Sequence, residues 1–260
     1  MKKRLAVLNL LSVILVIAVN YVSQALRLND TTIGEVSQEY ENYFTPASYA
    51  FAIWGLIFLS LFAYTIFQIK RAFFSDTPSE FIEQTGYWFV FANILNSLWV
   101  IAFVYEYTAV SVLIMLGILV SLIKIMLNTN MERGTASLAE KGFVWWPISL
   151  YSGWIAVATI ANISAYLSKL HWDGSFLTEV QWTVTMILIA LVLNIVLLWK
   201  RNMRVFTLVG VWSLFAIYAR HQNREETIAT TALICAVILA VMLVVNVFIY
   251  NSKKIRLTRK

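Results

Sequence analysis

The stretch TAVSVLIMLGILVSLIKIML, residues 108–127, decides the fold class of this chain. Its only charged residue is Lys124, which lies near one end. Twenty residues is about the length that an α-helix needs to cross ~30 Å of hydrocarbon. A transmembrane barrel strand would alternate polar and apolar residues over about ten positions, whereas this run is continuously apolar. The stretch therefore predicts a transmembrane α-helix.

Similar apolar blocks lie on both sides of this stretch. We predict eight spans, at about residues 5–25, 47–69, 87–105, 108–127, 143–167, 180–199, 205–219 and 227–250. The predicted fold class is an all-α integral membrane protein with about eight transmembrane helices. The third and fourth spans are separated by little more than Glu106 and Tyr107, which predicts a tight antiparallel hairpin. The seventh span has only about fifteen residues, so a re-entrant or tilted segment is the alternative there.

The composition excludes a water-soluble domain. The 260 residues are 60% hydrophobic and 13% charged, against about a quarter charged in soluble domains. The mean hydropathy is +0.73. The net charge of +6 does not indicate nucleic-acid binding, because the basic residues lie at the ends of apolar blocks rather than along one soluble surface. The single cysteine, Cys235, excludes an internal disulfide, and no metal-binding pattern of cysteine and histidine occurs.

The distribution of basic residues predicts the orientation. Sixteen of the twenty lysines and arginines fall in the termini and loops on one side of the eight spans, and four fall on the other side. Because cytoplasmic loops carry the excess of lysine and arginine, both termini are predicted to be cytoplasmic. The basic start followed by an apolar run also resembles a signal peptide. The run is about twenty residues long, which favours an uncleaved first span.

Two spans carry amide and aromatic side chains on one helical face. In the third span, Asn93, Asn96 and Trp99 are three positions apart. In the fifth span, steps of three, four and four join Tyr151, Trp154, Ala158 and Asn162. Polar side chains in a bilayer turn inward, either to line a pocket or to bond neighbouring helices. The spacing leaves both interpretations open.

Other intramembrane polar residues carry less information. Asn20, Asn194 and Asn246 are predicted to be helix-packing contacts. No phosphate-binding loop, metalloprotease motif or pair of buried carboxylates occurs in the sequence, so we predict no enzyme and no catalytic residue. The scarcity of ionisable residues within the spans also weighs against an ion-coupled transporter.

Three segments of the chain resemble the TspO/MBR family, the tryptophan-rich sensory proteins related to the mitochondrial translocator protein. PASYAFAIWGLIF, residues 46–58, is similar to the family's proline and aromatic entry into its second helix. LNSLWVIAF, residues 95–103, resembles its Asn-x-x-Trp third helix. The Tyr, Trp, Ala and Asn between Tyr151 and Asn162 stand at the offsets of its fifth helix.

The chain departs from the family pattern at three positions. The family usually has a double proline where this chain has Pro46 alone, and often a tryptophan where it has Ser48. The proline that commonly precedes the fifth-helix tyrosine is Leu150 here. The resemblance covers residues 1–168, so we predict a five-helix domain over 1–168 and a three-helix membrane extension over 169–260.

The resemblance implies a five-helix bundle with a cavity for a hydrophobic ligand, such as a porphyrin, haem or a sterol-like molecule. By position, the residues that would line or support the cavity are Trp54, Asn96, Trp99, Tyr151, Trp154 and Asn162. No resident cofactor is expected, since a porphyrin or haem would enter as the ligand. The expected partners are the lipid bilayer, this hydrophobic small molecule and, as one option, a second copy in a homodimer.

The leading hypothesis is therefore a multi-pass sensor or carrier in a bacterial inner membrane. One alternative is a small-molecule transporter, in which the three extra helices complete a translocation path. The other is a structural or partner-binding membrane protein, in which the polar faces only join helices.

Overall fold

The computed structural model describes residues 1–134, 136–172 and 174–258, with side chains up to residue 250, and all regular structure in these residues is helical. The eight long helices in this part of the chain are α1 (Lys2–Ala25), α2 (Ile53–Phe73), α3 (Trp88–Val104), α4 (Thr108–Asn128), α5 (Trp146–Lys169), α6 (Glu179–Arg201), α7 (Arg204–His221) and α8 (Glu226–Thr258). Each coincides with a predicted span. The predicted all-α membrane fold is confirmed, and the chain is a multi-pass membrane protein.

Length and composition separate the helices into two groups. Six helical segments are long and apolar enough to cross a membrane: Lys2–Ala25, Ser48–Phe73, Thr108–Asn128, Leu138–Lys169, Glu179–Arg201 and Glu226–Tyr250. The apolar α3 is shorter, at 17 residues. The seventh segment forms the 18-residue α7, which at ~1.5 Å per residue is about 27 Å long. Arg204 and Arg220 lie near its two ends, and full crossing by α7 stays a prediction.

Short helices connect the long ones. They are the 3-10 helices Leu28–Asp30 and Ser48–Ala52, the α-helices Ile33–Glu39, Phe81–Thr85 and Leu138–Glu140, and the π-helical turn Lys141–Trp145. Capping boxes begin two of the short helices and α6, where the Thr178 side chain accepts from the backbone N–H of Gln181. The π turn ends two residues before Pro147, whose missing N–H and bulky ring disfavour a regular α-helical turn there.

Clustering of contacts divides the chain into two units. The first contains Met1–Asn42 and Phe51–Trp172, and the second contains Tyr43–Ala50 and Asp173–Lys260. In the first unit, α1 packs against α2 and α3, α3 against α4, α4 against α5, and α5 against α2. These pairings close a five-helix ring. The α2–α5 pairing is the least extensive of the five.

The second unit is a three-helix assembly in which α6, α7 and α8 all pack against one another. Gly210 on α7 allows a close approach to α6, because a Cβ atom there would lie 2.5 Å from Asn194 Oδ1. Tyr43–Ala50 belongs to this unit through polar contacts with α7. Ala47 N–H donates to the Ala216 carbonyl (3.1 Å), and Trp212 Nε1 donates to the Ala50 carbonyl (3.4 Å).

The predicted domains, 1–168 and 169–260, differ from these units at residues 43–50 and 169–172, and the division into domains stays a prediction. The basic cluster that we predicted at the cytoplasmic C-terminus includes Lys253, Lys254 and Arg256, whose side chains lie outside the described residues. Arg259 and Lys260 also lie outside them.

Candidate ligand-binding site

The interior of the five-helix ring contains two sets of hydrogen-bonded side chains, which we call the hydrogen-bonded core. The first set joins α1, α3 and α5. Asn20 Nδ2 donates to Asn96 Oδ1 (3.1 Å), and Asn96 Nδ2 donates to the Tyr151 hydroxyl (3.0 Å). Asn96 is fully buried and Tyr151 is 1% exposed. Asn96 thus uses both ends of its amide to hold α1 and α5.

The second set of the hydrogen-bonded core joins α3, α4 and α5. Trp99 Nε1 donates to Asn162 Oδ1 (2.8 Å), and Asn162 Nδ2 donates to the Ser111 hydroxyl (2.9 Å). All three residues are buried. The ring of Trp99 stacks on Phe103 of its own helix, with centroids 5.1 Å apart. In both sets, therefore, α3 is tied to α5, although the two helices are not neighbours in the ring.

Four of the six residues predicted at the site are thus paired with one another. Asn96 bonds Tyr151, and Trp99 bonds Asn162. These contacts have the geometry expected of side chains that join helices, which is one of the two interpretations that the spacing left open. Their polar atoms are already engaged by protein groups.

The other two predicted residues, Trp54 and Trp154, meet in a cluster of rings between α2 and α5. We call this cluster the aromatic seam, and its members are Phe51, Trp54, Phe58, Tyr151 and Trp154. The Trp54 centroid lies 5.2 Å from that of Phe58, 6.1 Å from that of Tyr151 and 6.4 Å from that of Trp154. Phe51 contacts Trp154 edge-on at 5.9 Å. Such edge-to-face pairs are favourable in themselves.

One buried polar atom in the aromatic seam has no partner among the described residues. Trp154 is 2% exposed, and its indole N–H donates to no acceptor in this part of the chain. A buried donor without an acceptor costs about 1–3 kcal/mol, because it has lost its hydrogen bond to water. Trp54 is only half-buried, so the seam is closed around Trp154 and more open at Trp54. The seam therefore has apolar walls and, at Trp154, a buried donor without an acceptor among the described residues.

A cavity of about 250 Å³ lies elsewhere in the first unit. Its lining comes from the segments before α3 and between α4 and α5, and includes Glu80, Gln84, Glu140 and Trp145. None of the six predicted residues lines it. Within the described part of the chain, no group of three or more His, Cys, Asp or Glu side chains is arranged to hold a metal ion.

Sequence reasoning missed a buried amide pair between α1 and α2. Asn9 Nδ2 donates to Gln68 Oε1 (2.8 Å), and both residues are fully buried. Spacing could have identified Asn9, because it shares one face of the first span with Ser12 and Asn20. Gln68 gave no such signal, since it lies two positions before Lys70 and looks like part of a span end.

Hydrogen bonds among three side chains hold the loop after α1 at one end of the first unit. We call these residues the loop clasp, and they are Tyr40, Glu106 and Lys169. The Tyr40 hydroxyl donates to the Glu106 carboxylate, and Lys169 Nζ donates to the Glu106 carbonyl at 2.8 Å. Glu106 lies in the α3–α4 turn with φ 58°, a left-handed conformation. The hydrogen bond from Tyr40, with help from Lys169, holds the pKa of the Glu106 carboxyl below its ordinary value of 4.5.

The comparisons with known proteins agree with this architecture. A family model described as "TSPO-like protein" matches residues 6–245 of the chain. The match therefore extends through both units and includes α6, α7 and most of α8. A search of curated proteins and a search of solved structures each found no match.

Proposed function

The chain belongs to the TSPO-like family, and from that premise we propose that it binds a flat hydrophobic ligand in the aromatic seam and acts as a sensor or carrier for it. Membership supports a membrane-embedded binding or sensory protein in general. The ligand class, a tetrapyrrole such as porphyrin or haem or a sterol-like molecule, is part of the proposal. So is the location in a bacterial inner membrane with cytoplasmic termini.

The observation that carries the proposal is the free indole N–H of Trp154. Buried polar groups are almost always hydrogen-bonded, and the exceptions often have a functional reason. In the seam, a ligand with a planar apolar body would contact the rings of Trp54 and Tyr151, and one acceptor on it would satisfy Trp154 Nε1. Most of such a site is apolar, with one polar group to fix orientation, which is the usual character of small-molecule pockets.

The six predicted residues take different roles in this proposal. Trp54, Tyr151 and Trp154 contribute ring surface to the ligand. Asn96 and Asn162 support the site by holding α3, α4 and α5 in place, and Trp99 acts through Asn162.

The hydrogen-bonded core favours binding over transport. A translocation path through the centre of the ring would have to separate α3 from α5 in both sets of hydrogen bonds. Flux of a porphyrin into vesicles that contain the protein would overturn this preference. The structural alternative, in which polar faces only join helices, accounts for the core but not for the free donor of Trp154.

Titration with protoporphyrin IX tests the proposal. Absorbance of the porphyrin is the appropriate signal, because removal of a tryptophan alters intrinsic fluorescence by itself. We expect saturable binding that weakens about three- to tenfold in Trp154→Phe, which keeps an aromatic side chain but removes the N–H donor together with the five-membered part of the indole ring. Trp199→Phe is the matched control, since Trp199 is an exposed residue in the last turn of α6, outside the first unit.

Two results would contradict the proposal. Equal affinity of Trp154→Phe and the unaltered protein would remove the indole N–H from the site. Absence of saturable binding by protoporphyrin IX and by a sterol would favour the structural alternative instead.

A further inference from the structure

Basic residues are clustered at one end of the three-helix unit. Helix α6 finishes with Lys200 and Arg201, Asn202 turns the chain in the left-handed region with φ 60°, and α7 begins at Arg204. Three cations thus occur within five consecutive residues at a junction of two helices. Helix α8 passes the same place with Asn246 and Tyr250, both of which contact Arg204.

The Arg204 side chain is held in a fixed orientation. Its Nε donates to Asn246 Oδ1 (2.9 Å), and its Cζ lies 4.9 Å from the centroid of the Tyr250 ring. A hydrogen bond in the guanidinium plane and a ring against its face together fix that plane. Nη2 is buried and has no acceptor among the described residues. A guanidinium pairs with two oxygens of a phosphate or carboxylate through two parallel N–H groups.

Among residues 43–50 and 174–250 of the unit, no side-chain carboxylate lies at this end near Arg204. The acidic residues within 174–250 are Glu179, Glu225 and Glu226. Glu179 begins α6, so it is about 33 Å along the helix from Arg201. Glu225 and Glu226 lie between the end of α7 and the start of α8, also at the far end. A partly buried cation is costly when no carboxylate among the described residues of its unit pairs with it, and an anion bound beside it would remove that cost.

The surroundings suit a lipid better than a soluble anion. Trp199, Phe248 and Ile249 are exposed apolar residues within a few positions of the charged ones, where acyl chains would lie. Charged and apolar surfaces meet in this way at the membrane interface, where basic side chains attract anionic headgroups. Five further lysines and arginines follow in the sequence after residue 250.

We propose that the guanidinium of Arg204, oriented by Asn246 and Tyr250, binds the phosphate group of an anionic phospholipid at this end of the three-helix unit. Lys200 and Arg201 add positive potential around it. The site does not depend on the ligand proposed for the aromatic seam, because none of its residues belongs to the first unit.

Lipid retention tests the proposal directly. The full chain is purified from vesicles of phosphatidylglycerol and phosphatidylcholine, and the retained lipids are counted by native mass spectrometry. We expect the unaltered protein to retain phosphatidylglycerol preferentially, and Arg204→Gln to reduce that preference about tenfold. Lys70→Gln is the control, because Lys70 is an exposed cation near the end of α2 in the first unit and its loss should change nothing.

Two further measurements make each outcome decisive. Asn246→Leu keeps the charge of Arg204 but removes the acceptor that orients it, so it should reduce the preference for phosphatidylglycerol by an intermediate factor. If Arg204→Gln does not fold, Asn246→Leu serves as the test variant in its place. Glycerol phosphate at millimolar concentration should not displace the lipid. Equal lipid retention in the Arg204 and Asn246 variants and the unaltered protein would overturn the site. Displacement by glycerol phosphate would show a soluble phosphate site and overturn the lipid assignment.

Discussion

The hydrogen-bonded core and the aromatic seam use the same kinds of residue in opposite ways. Both contain a buried mid-span tryptophan, yet Trp99 donates to Asn162 whereas Trp154 donates to no group of the described residues. In the core, the hydrogen bonds join side chains of different helices. In the seam, large rings separate α2 from α5 and one donor stays free. The difference shows that residue type and depth in the span do not determine whether a buried tryptophan has a hydrogen-bond partner.

The largest expected effect comes from removal of the central acceptor of the core. Asn162→Leu leaves Trp99 Nε1 buried without an acceptor and deprives Ser111 of a donor, so we expect the unfolding free energy to fall by about 1–3 kcal/mol. Thermal unfolding in detergent measures this loss. The double variant with Trp99→Phe should recover part of the stability, since both partners are then apolar. A double variant less stable than Asn162→Leu would argue against the pairing.

Replacement of Trp99 and of Trp154 by phenylalanine, in two separate variants, tests the difference between the core and the seam. Both Trp99→Phe and Trp154→Phe remove buried indole volume, which destabilises the protein. Trp99→Phe should cost about 1 kcal/mol more than Trp154→Phe, because only in Trp99→Phe does Asn162 lose a hydrogen bond. The two unfolding curves, measured without ligand, provide the test. A similar loss in both variants would mean that Trp154 Nε1 has an acceptor after all.

Tyr151 belongs to both regions, because its hydroxyl lies in the hydrogen-bonded core and its ring in the aromatic seam. A substitution that removes only the hydroxyl therefore separates the two contributions. Tyr151→Phe removes the hydroxyl that accepts from Asn96 and keeps the ring that faces Trp54. We expect a loss of roughly 0.6 kcal/mol, typical of interhelical hydrogen bonds in membranes, with protoporphyrin affinity unchanged. Affinity and unfolding measured on the same preparation check this, and an affinity loss as large as that of Trp154→Phe would place the hydroxyl in the binding site.

The loop clasp lies outside both regions and should show the smallest effect. The pKa of the Glu106 carboxyl is lower in the folded chain than its ordinary value. The clasp therefore contributes fully above that ordinary pKa and weakens as the pH falls through the lowered one. Hydrogen exchange of residues 26–45, normalised for pH, should be constant near neutrality and increase in acid. Tyr40→Phe should increase it already at neutral pH, by no more than about fivefold. Unchanged exchange in that variant would contradict the clasp.

The positions of the helices were predictable from the sequence because the bilayer imposes both their length and their apolar character. The eight segments and the α3–α4 turn needed no knowledge of packing. The partners of the polar side chains were not predictable, since spacing gives the face of Asn96 or Asn162 but not the residue opposite. For the same reason Trp99 and Trp154 looked alike. Gln68 escaped notice because a nearby lysine made it resemble the end of a span.

The assignment of Tyr43–Ala50 to the second unit has a consequence for biosynthesis. The Ala50 carbonyl accepts a hydrogen bond from Trp212, which is 162 positions later in the chain. A nascent chain leaves the ribosome N-terminus first, so this connecting segment is made long before α7 exists. The first five helices can enter the membrane before residues 43–50 have their hydrogen-bond partners on α7. A chain that ends before α7 would lack the residues that bind this segment, so the segment would be left unanchored and accessible to quality-control proteases.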